Sequence, residues 1–142
     1  MSEIVRPKSP PPLTFASIRI EREWADGRLD RRVREVVLDA AEFLYEEFGV
    51  IADLGSIYRT NGEEADISIA TGKPTTHIHV AWRAVDIRVR NLTRTMIDAL
   101  VAYLKARWIY DPTRPQLEVV FAEKHGTGPH IHVQSHPLTR RR

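Results

Sequence analysis

The chain has 142 residues, enough for one domain with a buried core, and at 42% hydrophobic and 28% charged its composition is that of a globular protein. It has no cysteine, which excludes disulfides, thiolate metal sites and a cysteine nucleophile, so any metal must be held by His, Asp or Glu. A net charge of only +2, with no interleaving of basic and aromatic residues, predicts no nucleic-acid surface, and no run approaches the roughly 20 apolar residues of a membrane span.

Residues 1–12 are Pro-rich and aperiodic; they predict an extended lead-in and contain no apolar signal region. One domain is expected over 13–136, followed by a basic tail, 137–142, that reads as a frayed, solubilising end. In the segment 30–49, Val33, Val36, Val37, Ala40, Ala41, Leu44 and Phe48 fall on one helical stripe, and Gly49 is placed as its stop. "VIADLGSIYRT" predicts a strand ending near Arg59. "NGEEADISIATGKPTT", rich in turn formers and polar residues, predicts a long loop or a short ribbon. "AVDIRVR" alternates, with Val85, Ile87 and Val89 on one side and Asp86, Arg88 and Arg90 on the other. A second helix follows, with Met96, Ile97, Leu100, Val101 and Leu104 as its stripe and Pro112 beyond its end. "QLEVVFAE" and "HIHVQSH" predict two more strands joined by "KHGTG". Helices and strands mix without a regular βαβ rhythm, which predicts an α+β fold.

The tetrapeptide HIHV occurs twice, at 77–80 and 130–133, and carries four of the six histidines. Nothing else aligns between the halves, so it does not mark a duplication. On a strand, each copy turns both histidines to one face and Ile and Val to the other. One copy alone reads as a half-buried strand. The first, however, is followed by Asp86, seven residues after His79 and set between Val85 and Ile87. A His, an Asp and a later His are the nitrogen and oxygen ligands that zinc takes in catalytic sites, where three come from the protein and one position stays open.

"HVAWRAVD", read as His79-x-x-Trp82-Arg83-Ala84-Val85-Asp86, resembles the H-x-x-G-x-A-x-D signature of the zinc D-Ala-D-Ala carboxypeptidases and dipeptidases. That superfamily includes the VanX/VanY-type enzymes, phage endolysins, the murein endopeptidases and, structurally, the hedgehog signalling domain. "SIYRT" is similar to its S-x-Y-R segment, and the second HIHV to its H-x-H. The three occur in the family's order, and the likeness spans about residues 29–135.

The resemblance implies a small antiparallel sheet with two main helices packed on it and one Zn2+ in the cleft, held by His79, Asp86 and His132. Arg59 would act in catalysis by pairing with a substrate carboxylate. Pro129 stands where much of the family has its catalytic acid. The base would then be Glu123, at the end of the preceding strand, with His130 and His125 as the other candidates. Trp82 replaces the family's Gly, which implies an altered turn or a ring lining the substrate cleft. His77, where many members carry Ser, would also face substrate. The implied activity is hydrolysis of peptidoglycan stem peptides, as a D,D-carboxypeptidase or an endolysin-type endopeptidase. The protein would be a monomer made in the cytoplasm and released to the cell wall as a phage lysis or virion protein. Two alternatives stand beside it: a non-catalytic zinc-bearing binding module of the same fold, and a single-strand DNA endonuclease with Tyr103 as nucleophile. The latter leaves Asp86 and Arg59 without a role. Tyr58, Trp108 and Tyr110 read as core or rim aromatics.

Overall fold

A computed structural model of the chain describes residues 9–72, 78–123 and 129–142, with Thr71 and Glu123 described by their backbone alone. The first predicted stripe forms helix α2 (Arg31–Phe48), after a strand β1 (Leu13–Phe15) and a short helix α1 (Ile18–Trp24). The Asp30 side chain caps α2 by accepting from the Arg32 N–H, and Gly49 ends it at φ 67°, the left-handed conformation glycine takes without strain. Val33, Val36, Val37 and Leu44 are fully buried. Each such side chain is worth about 1.5–3 kcal/mol of burial, against about 1 kcal/mol for a cap, so the apolar face holds this helix and the caps trim it. The second predicted helix is α4 (Arg94–Arg107), which follows strand β2 (Ala52–Ser56), helix α3 (Asn61–Thr71) and strand β3 (Ala84–Arg88).

Beyond α4 lie β4 (Trp108–Ile109), β5 (Val120–Glu123), β6 (His130–Gln134) and β7 (Arg140–Arg141). Five strands make one sheet in the order β1-β2-β3-β6-β5; β4 and β7 make a separate ribbon. The fold is α+β as expected, but the sheet is mixed. β1 lies parallel to β2, while the remaining pairs are antiparallel. Alternation gives the sheet two distinct faces. Leu54, Val85, Ile87, Val120, Ile131 and Val133 join the core with the α2 and α4 stripes. Asp53, Asp86, Arg88, His130 and His132 occupy the alternate positions, with Asp86 opposite His132 and Arg88 opposite His130. β2 slips register against β3 between Leu54 and Ser56. Gly55 lies there with Arg88 against it: a Cβ would stand 2.6 Å from the Arg88 Cγ.

Three expectations are corrected. Most of the segment expected as a loop or ribbon over 61–76 is helix α3, opened by a reciprocal cap in which Thr60 and Glu63 bond each other's backbone N–H. The first HIHV is not a strand over its described part. Residues 78–82 form a turn in which the Ala81, Trp82 and Arg83 N–H groups donate back to the carbonyls of Ile78, His79 and Ile78. Trp82, at φ 59°, turns the chain into β3. The basic tail is not frayed: Arg140 and Arg141 pair with Ile109 and Trp108, and the Arg142 N–H donates to the Arg107 carbonyl. To the two main helices expected, the structure adds the shorter α1 and α3.

Candidate metal centre

His79, Asp86 and His132 meet although they come from a turn, a central strand and a strand near the chain's end. All three are buried, and one ligand atom from each lies within 4.8 Å of the others. His79 Nε2 is 3.3 Å, and His132 Nδ1 3.2 Å, from Asp86 Oδ1. Two ligands about 2.0–2.1 Å from a tetrahedral ion stand roughly 3.3 Å apart, so these two spacings are ones a shared metal could take.

The outer hydrogen bonds decide where the protons are. His79 Nδ1 is 2.8 Å from the Ile57 carbonyl, which can only accept, so Nδ1 carries hydrogen and Nε2 faces Asp86. That buried Nε2 has no hydrogen-bond partner among the described residues. On His132, Nε2 is 3.2 Å from Gln134 Oε1, and the Gln134 amide nitrogen donates to the Glu118 carbonyl. This fixes Oε1 as the acceptor and gives His132 Nε2 the hydrogen, while Nδ1 faces Asp86 Oδ1. With both rings neutral, two imidazole lone pairs and a carboxylate oxygen converge there. The His79, Asp86 and His132 group can hold one metal ion.

Burial by itself would push the Asp86 carboxyl up; when the rings carry both protons, positive charge at His79 and a bond from His132 hold it well below the usual aspartate range. Its second oxygen is also engaged, accepting from Arg59 Nη2 at 2.9 Å. The Arg59 guanidinium, which was expected to face a substrate carboxylate, stands between Asp86 and the buried Glu64, with Nη1 3.8 Å from Glu64 Oε1. Phe121 stacks on the His132 ring at 4.6 Å and supports its orientation.

The other expected site residues divide. His130 lies on the same face of β6 as His132, with Nε2 3.7 Å from Asp86 Oδ2. Trp82 is only 8% exposed; its ring stacks on Tyr58 at 4.6 Å, and Arg28 lies over it at 4.6 Å. The turn is the one a glycine would make, taken instead by a tryptophan. The Glu123 backbone ends β5 opposite His130, but its side chain, like His77 and His125, lies outside the described residues. Tyr103 lies on the helix side of the sheet. Its hydroxyl donates to Asp39 and its ionisation is pushed up to about 12, first by burial and then by that bond. Trp108 and Tyr110 are core aromatics, and Tyr58 packs against the core edge.

Sequence reasoning missed Glu64, which it had placed in a loop. It also missed Gln134, although Gln134 follows His132 by two residues and so shares its face of β6. An open cavity of about 480 Å³ lies beside Asp86, with Ser56, Arg88, Arg90 and His130 on its walls. No family model matches the chain, and no curated protein or solved structure matches it significantly.

Proposed function

We propose that the protein is a zinc-dependent peptidase that hydrolyses peptidoglycan stem peptides, with His79, Asp86 and His132 as the protein's three ligands. The observation that carries this reading is the convergence of two buried imidazole nitrogens on one oxygen of a buried carboxylate, at separations that a shared ion allows. Two imidazoles and one carboxylate are a ligand set of catalytic rather than closed structural zinc sites, and an ion held there supplies Lewis-acid polarisation of a carbonyl and an acidified water. The Ile57 carbonyl and the Gln134 amide orient the two rings. His130, beside Asp86 and on the cavity wall, is placed to move a proton, and Arg88 and Arg90 offer positive charge to an acidic peptide. The DNA-cleaving alternative is weakened by Tyr103, which is committed to Asp39 on the helix side.

A second reading, a zinc-bearing module that binds without cleaving, draws support from Arg59, which is engaged by Asp86 and Glu64, and from Pro129 in place of the family's acid. One experiment separates the two. The purified chain is reconstituted with zinc, its metal content measured, and muropeptides digested with it. One equivalent of zinc with release of D-Ala or cleaved stem peptides supports the peptidase. One equivalent without cleavage supports the module, and no bound zinc refutes both.

A further inference from the structure

Glu64 is a carboxylate with no role in the site described so far. It sits on α3 with 1% exposure, and its Oε2 has no hydrogen-bond partner among the described residues. Its nearest countercharge is Arg59 Nη1, 3.8 Å from Oε1. A carboxylate taken so far out of water is costly unless its charge is used. Arg59 in turn gives its other amino group to Asp86 Oδ2, leaving Oδ1 toward His79 and His132. Glu64, Arg59 and Asp86 therefore form a chain of alternating charge running from α3 to the cluster of acceptors.

We propose that Glu64 is the outer positioning residue of the metal centre: it anchors Arg59 on the far oxygen of Asp86 and cancels the guanidinium's charge toward the ion. This rests on the metal reading above. With Glu64 present, two carboxylates and one guanidinium leave the buried site one net negative charge, which favours a divalent cation. Without it the site is neutral and an uncompensated guanidinium stands behind Asp86, repelling the ion in a medium of low dielectric. Arg59 is then free to swing from Asp86, and the carboxylate loses its fixed orientation. Loss of such outer partners lowers metal affinity by about 10–100-fold.

The test measures Zn2+ affinity of the full chain by competition with a chromophoric chelator, and the melting of the metal-free protein in parallel. Glu64→Gln should bind Zn2+ at least about tenfold more weakly, with little change in metal-free melting. The double variant Arg59→Met, Glu64→Gln removes both charges and should bind more tightly than Glu64→Gln alone. A purely structural Glu64 predicts the reverse: lower metal-free stability, and a double variant no better than the single. If Glu64→Gln does not fold, the double variant is compared with Arg59→Met: with one net negative charge against two it should bind Zn2+ more weakly, and equal affinities overturn the proposal. An unchanged affinity in Glu64→Gln, or a double variant weaker than Glu64→Gln, overturns it. A wild-type chain that binds no Zn2+ overturns the metal reading along with it, whereas a metal-binding wild type with an indifferent Glu64→Gln overturns this inference alone.

Discussion

Trp82 holds a φ of 59°, a region that costs a non-glycine residue about 1–2 kcal/mol. Stacking on Tyr58 and burial under Arg28 offset that cost, since truncating a buried Trp loses about 3–5 kcal/mol. Packing therefore outweighs strain. Trp82→Gly should destabilise the fold by about 2–3 kcal/mol in urea denaturation even though it relieves the backbone, and a more stable variant would refute this account. Gln134 acts on the site through His132. Gln134→Ala frees that ring to turn, and Zn2+ affinity should fall about 10–100-fold while stoichiometry stays at one; unchanged affinity would show that Phe121 alone suffices to hold the ring.

Helix α3 depends on its ends and its partners more than on an apolar stripe. Thr60 and Glu63 close its first turn, and Glu63 also pairs with Arg19, tying α3 to α1. The Arg19 bond is the main cause that holds the Glu63 carboxyl down, at about 2 instead of the ordinary 4.5. Because the folded value is the lower one, the linked stability is present above about 4.5 and is lost as pH falls toward 2. Both side chains are substantially exposed, so the contribution is at most about 1 kcal/mol. Glu63→Gln should then be less stable than wild type at pH 6 and nearly equal to it at pH 2. A stability gap that persists undiminished at pH 2 would assign the effect to the lost cap instead.

Across the whole molecule, the candidate ligands are supplied by the turn before β3, by β3 and by β6, with Asp86 and His132 46 positions apart. Metal binding should therefore stabilise the domain globally. At a free concentration 100 times Kd the gain is about 2.7 kcal/mol, which for a chain of this size raises Tm by roughly 5–11 °C. Calorimetry with and without Zn2+, then with excess chelator, checks this; a Tm indifferent to saturating Zn2+ would mean that the acceptors do not share an ion. Strands β3 and β6 lie inside the sheet with the helices on one side and the site on the other, so core and site are two faces of the same strands.

What the sequence determined by itself is what local periodicity encodes. The stripes of α2 and α4 and the alternation of β3 and β6 follow from spacing, because burial on one face repeats at 3.6 or 2 residues, whereas His79, Asp86 and His132 are nominated by the resemblance of short motifs to a known family. Helix α3 was hidden by polar composition, although its T-x-x-E cap stands in the sequence at Thr60 and Glu63. The rest required neighbours distant in the chain. Only the tertiary structure decided that β1 runs parallel to β2, that a tryptophan takes a glycine's turn because Tyr58 and Arg28 hold it, and that the final arginines pair with β4. It also set Arg59 between two carboxylates. The physical reason is that a charge or a strained turn is stabilised by whatever folds against it, and no local pattern carries that information.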